Sequence, residues 1–191
     1  TRPKLELPKK PVTKIAQFDL REEQIQAVSS ILYNKVENIP FHIGVIDYTV
    51  NAGKTAVMVA LYLSFKRKLK TLLITNDSDW LNQAKREFKD YLPDEQVTFV
   101  QGSKVDNWSN FSIGMIQSLS RNVKKYQREL TKIDMVLVDE ADLAGSKSYQ
   151  TVLTHLYNTR VRIGLSGTIY MSKLVRDKLK NMNLRAFFGD I

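Results

Sequence analysis

The 191-residue chain predicts an α/β fold, with a mostly parallel sheet covered by helices on both faces. Three observations predict it. Short apolar, β-branched runs alternate with stretches of helical periodicity from Phe41 onward. A Gly-Lys-Thr turn follows the first of these runs, and a later run, Met135 to Val138, ends in a cluster of carboxylates. Near-continuous apolar runs of four to six residues are what strands buried on both faces need.

The elements follow in order. Residues 1–17 read as an extended basic N-terminal segment rich in Pro and Lys, and residues 18–191 as the domain. Asp19 to Lys35 predicts a helix: Asp19 is placed to cap it, Glu22 and Glu23 suit its first turn, and Ile25, Val28, Ile31 and Leu32 recur at helical spacing. Strands are expected near 41–46, 71–75, 97–100, 111–116, 135–138 and 161–165, and helices near 54–67, 79–91, 119–130, 149–157 and 174–182. In such sheets ligands bind at the carboxyl ends of the strands.

Composition narrows the function classes. A hydrophobic content of 43% over 191 residues supports one domain with a substantial core. The absence of Cys excludes disulfides and thiolate metal sites. No apolar run approaches a membrane span or a signal-peptide core, so no membrane partner is expected and the predicted setting is intracellular and cytoplasmic. Lys and Arg outnumber Asp and Glu by 29 to 20, a formal charge of +9, which suggests a polyanionic partner such as nucleic acid. A basic but inert surface is the alternative from charge alone. The first residue is Thr1 and the last follows Gly189-Asp190, so the expectation is a piece of a longer protein.

Thr49, Val50, Asn51, Ala52, Gly53, Lys54 and Thr55 lie between a strand and a helix. There, backbone N–H groups converge on phosphate oxygens, the Lys54 ammonium neutralises the outer phosphates, and the Thr55 hydroxyl suits Mg²⁺. In G-x-x-x-x-G-K-[ST] the first Gly falls on Tyr48, and Asn51 stands where a second Gly is common. The competing account is a surface turn with a chance Gly-Lys-Thr. Asp139-Glu140-Ala141-Asp142 argues against it, because a strand tip opposite a phosphate loop holds Mg²⁺ through one carboxylate and activates water with its neighbour. Asp139 is the expected metal residue and Glu140 the general base; with Lys54 they form the expected catalytic set.

The phosphate loop, Val138-Asp139-Glu140-Ala141-Asp142 and Gly164-Leu165-Ser166-Gly167-Thr168, in that order and spacing, resemble motifs I, II and III of superfamily 2 helicases. The resemblance runs from about Leu20 to Ile191 and implies the first, N-terminal of two RecA-like P-loop NTPase domains. Asp139 to Asp142 spells the DEAD signature, yet the loop and the Ser166-Gly167-Thr168 triplet look closer to DNA helicases and translocases, such as phage branch-migration helicases of the UvsW type and the motors of type I–III restriction enzymes. The resemblance implies ATP and Mg²⁺ as cofactors, a second RecA-like domain as partner, and nucleic acid as track, DNA before RNA. A phage-encoded protein fits it.

Further matches imply further roles. Leu20-Arg21-Glu22-Glu23-Gln24 resembles the segment upstream of motif I, which places Arg21 and Gln24 with ATP and gives the Gln24 amide to the adenine edge. Asn76 and Gln83 fall in the segment resembling motif Ia, where Asn76 replaces a usual Pro. Gln117 and Ser118 fall in one resembling Thr-x-Gln-Ser-Leu, where Met115 replaces the Thr. All four are expected on the nucleic-acid backbone. Asp142, Ser166, Gly167 and Thr168 are expected to couple hydrolysis to movement.

Together these imply the ATP-binding motor of a DNA helicase or translocase. The alternatives are a restriction-enzyme motor, an RNA helicase, and a nucleotide-gated binding module that never hydrolyses. The arginine finger lies on the second domain in this family, and its absence costs roughly 10³ to 10⁵ in rate, so weak binding and very slow hydrolysis are expected of these residues alone. Trp80, Trp108, His42 and His155 are given structural roles.

Overall fold

The computed structural model describes residues 5–33, 43–47, 53–65, 68–102, 105, 107–167 and 188. A two-stranded antiparallel ribbon, β1 (Lys14–Ile15) and β2 (Phe18–Asp19), leads into α1 (Glu22–Tyr33). Then follow β3 (Ile43–Asp47), α2 (Lys54–Ser64), β4 (Thr71–Thr75), α3 (Ser78–Tyr91), β5 (Val97–Val100), β6 (Phe111–Met115), α4 (Ile116–Arg121), α5 (Val123–Leu130), β7 (Met135–Asp139), a 3₁₀ turn (Ala141–Gly145), α6 (Lys147–Leu153) and β8 (Val161–Ser166). β3 to β8 form one six-stranded sheet in the order β3-β8-β7-β4-β6-β5, and every described pairing in it is parallel.

Successive strand residues point to opposite faces, so each central strand serves two cores. Leu73, Leu137 and Ile163 pack with α1, α2 and α3, while Leu72, Ile74, Val136 and Val138 pack with α4, α5, α6 and the 3₁₀ turn. β4 and β7 are neighbours, yet the segments that follow them turn to opposite faces. That divergence opens a crevice at their carboxyl ends, the usual ligand position in such sheets.

α2 is buried nearly all round, from Thr55 to Tyr62 and again at Ser64. A helix apolar on every side has to be enclosed. The sheet covers one side, and α1 with the β1 ribbon covers the other, where Ile15 is fully buried and the Val12 N–H donates to the Ser64 hydroxyl at 3.1 Å. The ribbon crosses residues 17 and 18, so its two strands lie on either side of that position.

Some local expectations give way to tertiary geometry. α1 starts at Glu22, with Asp19 held in β2 instead of capping. The Arg21 N–H is taken by the Gln24 side chain at 2.9 Å, the reciprocal half of a capping box. The helix expected over 119–130 divides at Asn122, whose side-chain amide and backbone N–H both donate to the Ser118 carbonyl. Such local competition for backbone partners is what interrupts helices at Asn. The helix expected over 149–157 occupies Lys147–Leu153 and follows a 3₁₀ turn. The helix expected near 174–182 lies outside the described residues.

Candidate active site

Gly53, Lys54 and Thr55 arrive from β3, Asn76 and Asp77 from β4, and Asp139 and Glu140 from β7. They line one cleft of 870 Å³ together with Ser78, Trp80, Gln83, Glu87 and Tyr91 of α3. That volume suits a ligand of nucleotide size.

Gly53 precedes α2 with φ +85° and ψ +44°, a left-handed conformation that L side chains adopt at a cost. A Cβ there would lie 2.4 Å from Gln24 Nε2 and 3.2 Å from Arg21 Nη2, so these two side chains press against the loop where it enters the helix. Gln24 is 5% exposed, and its amide donates to the Gly53 carbonyl at 3.5 Å while accepting from Arg21 N–H. Both ends of the amide are thereby engaged in tying α1 to the loop.

Lys54 carries the main electrostatic link. Its Nζ donates to Glu140 Oε1 at 2.7 Å and to Asp139 Oδ1 at 3.4 Å. Burial works against the ammonium, but the hydrogen bonds and charges of the two carboxylates outweigh it and raise the Lys54 pKa. Asp139 is 6% exposed; burial raises its pKa, with the neighbouring Glu140 charge acting the same way and Lys54 opposing both. Glu140 has φ +52°, so the chain turns as soon as β7 ends and consecutive carboxylates both reach one ammonium. A non-glycine residue there stores of order 1–2 kcal/mol of strain.

On the next strand, the buried Ser166 hydroxyl donates to Asp142 Oδ1 at 3.0 Å, joining the tip of β8 to the 3₁₀ turn. Gly164 lets them approach: a Cβ on it would lie 2.6 Å from the Ala141 Cβ.

The structure therefore brings Lys54, Thr55, Asp139 and Glu140 together, and puts Asp142 with Ser166. Asn76 and Gln83, expected on nucleic acid, share the cleft with Lys54. Gln117 and Ser118 sit apart on α4, where Gln117 is exposed and the Ser118 hydroxyl accepts from the Gly102 N–H at 2.8 Å. Thr49, Val50, Asn51, Ala52 and Thr168 lie outside the described residues, and Gly167 is half-buried just beyond β8.

Sequence reasoning missed Trp80, Glu87 and Tyr91, which fall at positions i, i+7 and i+11 of α3 and so share one face toward the cleft. The polar residues at the same spacing were the available signal. It missed Tyr149 as well, a buried tyrosine on α6. Trp108 is in the core, 6% exposed against Tyr126.

The family described as type III restriction enzyme, res subunit, matches residues 17–171. The chain belongs to that family. Family membership thus covers the ribbon, the phosphate loop, the carboxylate strand and β8 in one continuous match. Among curated proteins, one of Acanthamoeba polyphaga mimivirus, named as a candidate ATP-dependent RNA helicase, is 27% identical over 125 residues, 65% of this chain and 23% of its own length. Among solved structures, the UvsW helicase of bacteriophage T4 superposes with a TM-score of 0.71 at 22% identity, covering 96% of this chain and 63% of that one. The Sulfolobus solfataricus SWI2/SNF2 ATPase core, solved with double-stranded DNA, gives 0.67 at 16% identity over 95% of this chain and 38% of that one. The fold is that of the RecA-like domain of superfamily 2 helicases. The chain spans under two thirds of the length of each of these proteins.

Oxygen donors and an ammonium are the right chemistry for Mg²⁺ with a triphosphate. Among the described residues no three His, Cys, Asp or Glu side chains converge into a metal cage. Mg²⁺ needs none, since it takes one or two carboxylates, waters and the substrate's own phosphates. Thr55 and Asp139 fit that part.

Proposed function

We propose that this chain is the ATP-binding half of the motor of an ATP-dependent DNA helicase or translocase. The observation that carries the proposal is Lys54, held between Glu140 and Asp139 at the mouth of a nucleotide-sized cleft. A phosphate group offers the ammonium the same charge-assisted partners as the carboxylates do. On binding, Lys54 exchanges carboxylate oxygens for phosphate oxygens and releases Glu140 to take a proton from the attacking water. Thr55 and Asp139 would hold Mg²⁺, which neutralises charge developing on the phosphates. The Asp142–Ser166 hydrogen bond then relays the state of the carboxylate strand to β8 and the nucleic-acid track. Arg21 and Gln24 brace the loop, and the α3 face with Trp80 and Gln83 lies where the nucleoside end of the ligand extends.

The excess of basic residues, +9 overall, supports nucleic acid as the track and binding mainly through phosphates. DNA is favoured by the likeness to UvsW and to the ATPase core solved with double-stranded DNA. A second RecA-like domain completes the site. The proposed setting is the cytoplasm; among the described residues no helix is long and apolar enough to cross a membrane. A second reading, favoured by the family match, is the translocating motor of a restriction enzyme. A nuclease domain in the longer protein would identify that case.

The test is ATP hydrolysis by this chain and by the longest form of the protein, each with single-stranded DNA, branched DNA or RNA. DNA-stimulated turnover in the long form, with retained binding but no turnover in Glu140→Gln, is the expected result. Stimulation by RNA alone would overturn the DNA assignment, and absence of turnover in the long form would overturn the motor.

A further inference from the structure

Tyr149 is 2% exposed, and its hydroxyl has no hydrogen-bond partner among the described residues. Burying a phenol oxygen without a partner costs roughly 1–3 kcal/mol, and a phenylalanine would fill the same space without that cost. Its position gives the oxygen a purpose. α6 packs on the 3₁₀ turn that carries Asp142, and the Tyr149 ring shares a cluster with Val138, Ala141 and Ala144, the residues interleaved with the carboxylates.

We propose, on the nucleotide reading above, that Tyr149 is a positioning residue whose idle hydroxyl becomes the donor to Asp139 when Lys54 turns to the phosphates. The three carboxylates differ in what they lose at that moment. Glu140, with its side chain 34% exposed, regains water. Asp142 keeps Ser166 at 3.0 Å. Asp139, with its side chain 9% exposed, loses its ammonium partner in a place that water reaches poorly. A neutral donor there fixes one carboxylate oxygen and leaves the other for the cation. Burial first, and then the fields of Asp139, Asp142 and Glu140, push the phenol pKa up, so the group keeps its proton and stays a donor. Tyr149 touches neither nucleotide nor water; it acts through Asp139.

The experiment follows the binding of a fluorescent, non-hydrolysable ATP analogue to this chain as MgCl₂ is titrated, for the unsubstituted chain, Tyr149→Phe, Asp139→Asn and the double variant. Thermal melts are run alongside. Tyr149→Phe is expected to melt at the same temperature or higher and to need about tenfold more Mg²⁺ at the midpoint, the effect of one charge-assisted hydrogen bond. The double variant is expected to match Asp139→Asn, because the two residues act through one contact. An unchanged Mg²⁺ midpoint in Tyr149→Phe, or additive effects in the double variant, would overturn the inference while leaving the nucleotide reading intact. A lower melting temperature for Tyr149→Phe would overturn it too, by showing that the hydroxyl is already bonded in the free chain. Failure of the unsubstituted chain to bind the analogue would overturn both.

Discussion

Replacing Lys54 with Met keeps most of the aliphatic stem and removes the charge that two carboxylates share. Breaking a buried ion pair from one side costs about 3–5 kcal/mol when both groups are fully enclosed. Here the Lys54 side chain is 13% exposed and Asp139 9%, but Glu140 is 34% exposed and recovers hydration. Asp139 is the charge left stranded, and the expected loss falls to about 1–3 kcal/mol. For a chain of this size that lowers the melting temperature by roughly 2–12 °C.

The pH dependence identifies the cause. Burial already raises the Asp139 pKa and Lys54 opposes it, so Lys54→Met raises it further. A carboxyl whose folded pKa lies above its unfolded value adds stability below the unfolded pKa and loses it as pH rises through the folded one. The variant's deficit is therefore complete at neutral pH and shrinks as pH falls through the raised Asp139 pKa. Lys54 has a raised pKa itself, so its own charge is constant across that window. Melting curves of both chains between about pH 4.5 and 7.5 test this against the ordinary carboxylate range. A deficit that stays the same at both ends, or a variant more stable at neutral pH, would refute the reasoning.

Gly53→Ala forces a side chain onto φ +85° with its Cβ 2.4 Å from Gln24 Nε2, so a loss of about 1–2 kcal/mol with weakened nucleotide binding is expected in melts and binding titrations. Gly164→Ala sets a methyl 2.6 Å from the Ala141 Cβ and near Val45 and Phe188; overpacking of about 1–3 kcal/mol should appear in denaturant midpoints. Ser166→Ala removes the bond to Asp142; in the long form it is expected to keep basal hydrolysis and lose much of the stimulation by nucleic acid, read from steady-state rates. Glu129 accepts hydrogen bonds from Lys132 and Lys70, which outweigh burial and lower its pKa. A lowered carboxyl contributes stability above its unfolded pKa that is lost as pH falls through the folded one, so Glu129→Gln should melt lower at neutral pH and converge with the unsubstituted chain in acid.

The sequence by itself determined the elements whose cause is local. Strands at 71–75 and 97–100 fall where the apolar runs place them, because a run buried on both faces carries its own boundary in composition. The pairing of Gly53-Lys54-Thr55 with Asp139-Glu140 was legible because each motif sits at a strand tip of one parallel sheet, and parallel strands bring their carboxyl ends to one edge. Tertiary structure decided the rest. Asp19 has a capping side chain, but pairing with Lys14 draws it into a ribbon that α2 needs as cover. Gln24 carries the amide expected at adenine, and packing against Gly53 engages it with the loop. Tyr149 and Trp80 look like ordinary aromatics in sequence. Only the topology, by sending the segments after β4 and β7 to opposite faces, sets one on the cleft and the other beneath the carboxylates. A motif is written in consecutive residues, whereas a site wall is assembled from helices that meet only after the sheet has formed.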